Sequence, residues 1–368
     1  MKKDSLKTYE VDSSQLVGKT EKVFHPKTIE ELQEIVKRNS QLNIRAGGTG
    51  LAGGAVPQGE NTLDISKLDK ISEFSKDKKT IIVETGVILD DLQDFLEPYN
   101  LEFPINPSSH SVCTIGGMIA ANAVGSRAIK YGRTSDWVLW LDIVNSNGKI
   151  ERKNKTELMD FAGMEGTTGV ITKACLKLAE KKNRKPEFLE FENLKELIEK
   201  VKSLKKDEKI TMIEFLDKKV SKMIGLEDNY HLFIEFESEK TPTNESKKLY
   251  ETRDKVYPKL AEQGFTRIED PKLMLEKMPQ ILAWLEEKQV PTYGHISVGI
   301  IHPCFSKEQE KFIPEMMKKV KKLNGQISGE HGIGILKKEF VDPNDKKLLL
   351  NMKKRLDPSN KFNPGKIL

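Results

Sequence analysis

The sequence predicts an α+β protein built as two domains with a C-terminal segment that returns to the first. Three observations carry this. Between residues 23 and 178, strand-like and helix-like patterns alternate around three glycine-rich loops. At Glu180–Pro186 the texture changes, and the chain becomes poorer in glycine and richer in Lys/Glu helices. Glycines return at Gly325, Gly329, Gly332 and Gly334, ahead of a terminus reading NPGKIL. The expected boundaries are 1–180, 181–325 and 326–368. A length of 368 residues exceeds one ordinary core and fits such a division.

The elements follow in order. Thr28-Ile-Glu-Glu31 is a capping box, opening a helix with Leu32, Ile35 and Val36 on one face. Leu42–Arg45 is a short strand that feeds the loop RAGGTGLAGGAVP. Ile81–Glu84 is a strand, and the helix after it is striped by Leu89, Leu92, Phe95 and Leu96. Val138–Val144 is a strand ended by the turn Ser146-Asn-Gly148, and Val170–Leu178 is another. The run KKNRK at Lys181–Lys185 reads as a solvated linker. Beyond it, helices are expected over Glu190–Leu204 and Lys247–Gln263, and strands over Thr211–Leu216 and His231–Glu237. A separate α+β domain follows from that mixture.

Composition excludes several classes. With 61 basic and 56 acidic residues the net charge is +5, too small and too dispersed for a nucleic-acid binder. Cys113, Cys175 and Cys304 show no CxxC spacing, so neither a disulfide framework nor an iron–sulfur cluster is readable. The N-terminus MKKDSLKTYEVD has no apolar core of a signal peptide, and no run approaches the length of a membrane span. The expectation is a cytoplasmic protein with reduced thiols and no transmembrane segment, with peripheral membrane contact left open.

The first glycine loop contains Gly48-Thr-Gly50-Leu-Ala-Gly53, a GxGxxG match after a strand. A dinucleotide turn also needs a helix to begin there. Gly54, Ala55, Val56, Pro57, Gln58 and Gly59 cannot sustain one, so that reading fails. A glycine loop can instead wrap an anion with its N–H groups, and Arg45 at the entrance adds charge. Two further small-residue segments repeat the theme. One runs from Pro107 to Gly125, with Ser108, Ser109, Thr114, Gly116 and Gly117; the other is Gly163–Gly169. Three such loops point to a long, polyphosphate-bearing cofactor.

Half of the six histidines lie in two short segments, YGHISVGIIHP with His295 and His302, and SGEHGIG with His331. Isoleucine and valine make HISVGIIH a strand. Positions seven apart then face opposite sides, so convergence of His295 and His302 requires a bulge or turn, which Gly299 permits. From spacing alone, metal ligation and two unrelated buried histidines stand level.

Taken together, RAGGTGLAGGAVP, NPSSHSVCTIGGMIAANAVGSRAIKYGRTSD, GMEGTTGVIT, YGHISVGIIHP, SGEHGIGILKKEF and FNPGKIL run in the order of a known family. The chain resembles the PCMH-type, or vanillyl-alcohol-oxidase, flavoproteins. Within them it resembles the branch of D-lactate, glycolate and D-2-hydroxyglutarate dehydrogenases. The resemblance implies a PCMH-type FAD-binding domain of two subdomains, then a shortened α+β substrate domain, with the C-terminal segment completing the active site. It places FAD near Gly47, Gly48, Thr49 and Gly50, lined by Ser109, Thr114, Gly117, Asn122, Gly166, Val170 and Asn363. Some relatives attach the flavin through a histidine where Thr49 stands, so non-covalent FAD is expected here. Cys113 is read as a small buried hydrophobe. His295, His302 and Glu330 are implied ligands of a divalent cation, Zn²⁺ or Mn²⁺, and His331 is the implied base. The implied reaction oxidises a small 2-hydroxy acid; with no cluster cysteines, electrons leave to a quinone, an electron-transfer protein or oxygen, and the sequence does not choose among them.

The sequence also departs from that pattern. Ser297-Val-Gly299-Ile300 replaces the usual Gly-Asp-Gly-Asn between the histidines. No arginine accompanies Trp284, leaving Arg267, Lys337 and Lys338 as candidates for the substrate carboxylate. Trp140 and Met164 replace smaller residues and are expected to reshape the pocket. His25 is read as structural and His110 as a residue near the flavin. Alternative readings are a flavin oxidase, a sugar-acid or alcohol oxidoreductase of the same superfamily, or a non-catalytic flavoprotein subunit.

Overall fold

A computed structural model of the chain describes residues 6–240 and 243–368. The chain divides into two compact units. The first comprises Met1–Val124, Arg133–Lys181 and Glu330–Leu368, and the second comprises Gly125–Gly132 and Lys182–Gly329.

The first unit holds two main sheets. A parallel sheet places Asn61–Asp64 between Val23–Phe24 and Leu42–Arg45. The helix Ile29–Arg38 lies between the first two strands in sequence and begins as the capping signal predicts. Thr28 Oγ1 accepts the Glu31 N–H at 3.2 Å, while the Glu31 carboxylate reaches back to Lys27 N at 2.7 Å. The second sheet is antiparallel, in the order Ile71–Ser75, Thr80–Glu84, Val170–Lys177, Val138–Val144 and Ile150–Asn154. One core joins them: Leu32 and Val36 of the helix, Leu42 and Leu63 of the parallel sheet, and Val144 and Val170 of the antiparallel one.

The C-terminal segment closes that core. Phe362 is fully buried in it, and Leu42 pairs with Phe362 in a parallel bridge. After the helix Pro343–Leu356, Lys353 carries its ammonium inward. It donates to Thr167 O at 2.8 Å, Phe362 O at 2.6 Å and the Asp357 carboxylate at 2.6 Å. A buried cation is tolerable only when its donors are used in this way.

The second unit is a six-stranded antiparallel sheet with helices. Its order is Arg184–Phe191, Tyr230–Glu237, Ile210–Leu216, Thr292–Gly294, His302–Phe305 and Arg267–Ile268. Every residue of Ile210–Leu216 is buried, which is why that segment reads as a nearly continuous apolar run.

Three expectations are corrected here. KKNRK is not a linker throughout, because Arg184 and Lys185 open the strand Arg184–Phe191. Arg184 is buried, donating to Tyr131 Oη at 3.1 Å beside the buried Glu235 carboxylate, with Nε 3.8 Å from Oε1. The helix expected from Glu190 starts at Leu194, where Asn193 caps it by accepting the Glu196 N–H at 3.0 Å. The helix expected over Lys247–Gln263 is two helices, Asn244–Asp254 and Val256–Glu262, parting at Lys255. Pro258 explains the break, since it has no N–H to donate back to Asp254.

Candidate active site

The first glycine loop leaves the strand Leu42–Arg45 and contains no helix before Asn61, as its glycine and proline density requires. Its shape is fixed from outside. The Asp12 carboxylate accepts the Ala55 N–H at 3.1 Å, and Ser13 N donates to Gly48 O at 3.1 Å. The Arg45 guanidinium turns back to donate to Val11 O at 2.7 Å. A Cβ on Gly48, whose φ is +66°, would stand 2.4 Å from Arg45 Nη2. Arg45 therefore braces the loop.

The loop keeps its own donors uncommitted. Among the described residues, the N–H groups of Gly47, Gly48, Thr49 and Gly50 donate to no protein group. A Cβ on Gly50 would meet nothing within 4 Å. The protein's own packing does not demand glycine there. Successive uncommitted amides on a bare backbone are what an anion cradle needs, so the segment fits a pyrophosphate.

The second small-residue segment packs onto the first. A Cβ on Gly47 would meet Val112 O at 2.5 Å, and one on Gly117 would lie 3.4 Å from Ala46 Cβ. Thr114 caps the helix Ile115–Ala121 by accepting the Gly117 N–H at 3.2 Å. Asn122 ends that helix with φ +49° and accepts the Ser135 N–H at 3.0 Å. The carbonyl of Ser109 accepts the N–H groups of Val112 and Cys113, each at 2.9 Å. Cys113 is buried, and burial pushes its thiol up to about 11, so it stays protonated at neutral pH.

The third loop turns on Glu165, a non-glycine residue with φ +48°. Its carboxylate accepts the N–H of Ile333 at 2.6 Å and of Gly334 at 3.0 Å. Cβ atoms on Gly332 and Gly54 would crowd that carboxylate, at 2.5 and 3.0 Å. Burial raises the Glu165 pKa above the ordinary range, opposed by the two N–H donors and by Lys337 and Lys366. Gly166 has φ +69° and lies against Asn363. Asn363 accepts the Ile44 N–H and donates to Glu165 O, each at 2.7 Å. Val170 is wholly in the core, so only its backbone borders the loop.

His331 sits in the segment that Glu165 holds. Ile335 N donates to Ala52 O at 2.9 Å, and a Cβ on Gly334 would meet that same carbonyl at 2.1 Å. His331 Nε2 lies 3.5 Å from Glu330 Oε1, with the two side chains 15% and 9% exposed. An imidazole two residues before a fixed anchor is thereby set in the same unit as the glycine loops.

The second unit carries the histidine pair. The expected strand over HISVGIIH is corrected to a turn between two strands. Thr292–Gly294 and His302–Phe305 pair antiparallel, Tyr293 opposite His302, and Ile296–Val298 turns between them. Gly299, at φ +84°, makes the reversal, and a Cβ there would strike Leu273 O at 2.3 Å. The turn solves the facing problem. The imidazoles of His295 and His302 meet edge to face at 5.2 Å between centroids, with ligand atoms within 4.8 Å of one another. Glu330 is the residue after Gly329, whose N–H is held by the Asp270 carboxylate at 2.9 Å.

Behind His295 stands Glu214. Its Oε1 is 3.3 Å from His295 Nδ1, and its Oε2 is 2.9 Å from Arg253 Nε. Burial opposes its charge, yet Arg253 and His295 outweigh burial and hold the carboxyl down at about 2. A fixed carboxylate at Nδ1 leaves Nε2 as the ring's second nitrogen for a ligand.

The remaining candidates have partners or surroundings of their own. His25 Nδ1 is 3.3 Å from the Asp64 carboxylate, and His110 Nδ1 is 2.7 Å from that of Asp90. Arg267 is bound to the buried Glu269, and Lys338 donates to Gly365 O at 3.0 Å on the surface. Lys337 is buried. Trp284 Nε1 donates to Glu315 at 3.1 Å. Arg152 stacks over the Trp140 ring at 3.7 Å, and Met164 is buried. Neither Glu165 nor Glu214 was singled out from the sequence. The available signal was a lone acid in a glycine loop, GMEGTTG, and a lone acid in an apolar strand, ITMIEFL.

Comparison with known proteins adds the following. Residues 20–154 match a family model described as FAD binding domain. Residues 237–367 match one described as FAD linked oxidases, C-terminal domain. The chain is 30% identical to a D-lactate dehydrogenase of Archaeoglobus fulgidus, covering 94% of this chain and 91% of that protein. It is 28% identical to a glycolate oxidase subunit of Bacillus subtilis, covering 94% and 88%. Among solved structures, an alkyldihydroxyacetonephosphate synthase matches with a TM-score of 0.67 at 15% identity, covering 93% of this chain and 75% of that one. That likeness concerns the fold.

Proposed function

The chain belongs to the PCMH-type family of FAD-dependent hydroxyacid dehydrogenases, and from that membership we propose that it oxidises a small D-2-hydroxy acid to the 2-oxo acid. Lactate, glycolate and 2-hydroxyglutarate are the substrate types in view. The single observation that carries the reading is the tie made by Glu165. It fastens the segment bearing His331 to the same unit as the glycine loop with its uncommitted N–H groups.

FAD supplies the hydride acceptor when bound. Gly47, Gly48, Thr49 and Gly50 offer their amides to its pyrophosphate. Thr49 has no nucleophilic nitrogen, which supports non-covalent attachment. Ser109, Thr114, Gly117, Asn122, Gly166, Val170 and Asn363 shape the walls through the turns and caps described above. A ring nitrogen of His331 accepts the substrate hydroxyl proton as C2 gives up its hydride. A histidine suits this because its ordinary pKa lies near neutrality.

His295, His302 and Glu330 offer two imidazoles and a carboxylate, a donor set suited to Zn²⁺ or Mn²⁺. The carboxylate of Glu214 on His295 supports the assignment, since ligand histidines are commonly oriented through their other nitrogen. A cation there would supply Lewis acidity toward the substrate hydroxyl. Electrons then pass to a quinone or an electron-transfer protein. No helix among the described residues is long and apolar enough to cross a membrane. The free thiols of Cys113, Cys175 and Cys304 fit a reducing compartment, and the cytoplasm is the proposed location.

The test is anaerobic. FAD-loaded protein is mixed with a panel of D- and L-2-hydroxy acids while flavin absorbance is followed. Bleaching by D-acids is expected, and a panel with no bleaching ends the dehydrogenase reading.

A further inference from the structure

The second unit contains a cleft of about 560 Å³ lined in part by the turn that follows His295. Its charged lining is three lysines, Lys202, Lys205 and Lys272, and one acid, Glu276; Lys202 also donates to Glu199 at 2.7 Å in a solvent-exposed pair that an incoming anion can share. Its apolar lining includes Leu273, Met274, Leu275 and Val298. Met274 is 58% exposed, a large apolar side chain held at the surface. Ser297 lines the same cleft, and its hydroxyl makes no hydrogen bond among the described residues, which leaves it open to a ligand. A hydroxyl open to the cleft can donate to an oxygen of a bound anion. The volume lies in the ordinary range of small-molecule sites, about 300–1,000 Å³.

The wall of this cleft is also the support of the histidine pair. The N–H groups of Val298 and Ile300 donate to His295 O at 3.0 and 3.3 Å. Gly299 O accepts the Leu273 N–H at 2.8 Å, which ties the turn to the apolar wall. Displacement of Ser297 or Val298 is therefore transmitted to the backbone that carries His295.

We propose that this cleft is an effector site for a small organic anion with an apolar tail, its head group held by Lys202, Lys205 and the Ser297 hydroxyl and its tail on Leu273, Leu275 and Val298, and that occupancy is felt at His295 through the turn Ile296–Val298. The head group is a carboxylate or a phosphate. An effect on catalysis rests on the proposed function; binding and the response of His295 do not.

The experiment uses the full chain loaded with FAD. Octanoate and octyl phosphate are titrated calorimetrically, with 1-octanol as the uncharged control. Saturable one-to-one binding of at least one anion is expected, and which of the two binds more tightly identifies the head group. The double variant K202E/K205E should weaken binding by at least about tenfold, since both lysines become repulsive. Ser297→Ala, a smaller change that keeps the fold, should weaken it by roughly threefold or more. With only six histidines in the chain, imidazole NMR resonances are assignable by substitution. Those of His295 and His302 should shift on saturation in the wild type and remain still in the double variant. No saturable binding, equal affinity in the double variant, or octanol binding as tightly as the anions would overturn the site. Binding with an unmoved imidazole spectrum would overturn the coupling.

Discussion

The carboxylate of Glu165 and the backbone of Ile333 lie 168 residues apart in sequence and 2.6 Å apart in space. Gly334 shares the same acceptor at 3.0 Å. This one side chain holds the third glycine loop, the edge of the first and the segment containing His331.

Glu165→Ala leaves both N–H groups without their acceptor, and each buried orphan costs about 1–3 kcal/mol. A loss of that order is expected in chemical denaturation. Flavin reduction by a hydroxy acid should slow as well, because His331 loses its anchor. Glu165→Gln keeps one acceptor oxygen and should recover part of the stability. An unchanged denaturation midpoint in Glu165→Ala would show that the contact does not bear on folding.

Much of this was legible in the sequence, for physical reasons. Glycine density against helix formation correctly separated the loop at Gly48–Gly59 from a dinucleotide turn, because Pro57 and the glycines act locally. The parity argument for His295 and His302 required a reversal at Gly299, and the structure makes one. What stayed hidden depends on partners distant in sequence. Arg184 reads as solvated charge until Glu235 is placed beside it across the sheet. Glu165 and Glu214 read as ordinary acids because their donors, Ile333 and Arg253, are 168 and 39 residues away.

The histidine pair predicts a metal dependence. His302→Ala should abolish stoichiometric divalent cation, measured by elemental analysis, while FAD stays bound. An active wild-type protein without stoichiometric cation would remove the ligand assignment.

Glu214 should tune that site through His295. Glu214→Gln removes the charge that faces Nδ1 and leaves Arg253 without its carboxylate. Cation affinity is expected to fall by roughly 10- to 100-fold, the usual effect of losing such a partner. Equal affinity in competition with a chelator would limit Glu214 to packing.

Asp217 predicts a pH dependence of stability. Its carboxylate caps the helix Lys218–Met223 through Val220 N at 2.7 Å and binds Thr292 N at 2.6 Å. Burial nevertheless pushes the carboxyl from 3.8 up to about 7, against those two N–H donors. A raised pKa means the folded state holds the proton more tightly than the unfolded chain. The contribution is complete below about pH 4, is lost as pH rises through about 7, and is flat above. Denaturation midpoints measured from pH 4 to pH 8 should decline over that window and flatten in Asp217→Asn. A wild-type profile as flat as the variant's would mean that the two N–H donors, not burial, set this group.

His331 carries the last prediction. It is flanked by Glu330 and by Gly332, whose φ of +80° lets the chain turn sharply there. Removing the imidazole removes the proposed proton acceptor and leaves the ties of Ile333 and Gly334 to the Glu165 carboxylate in place. His331→Ala should therefore keep its flavin spectrum and its cation content. Anaerobic stopped-flow reduction by the best hydroxy acid should slow by roughly 10²- to 10⁴-fold, the usual contribution of a positioned base. A purely structural histidine would give a different result: loss of flavin or stability together with rate. Near-equal reduction rates with intact cofactor would assign the proton to another acceptor.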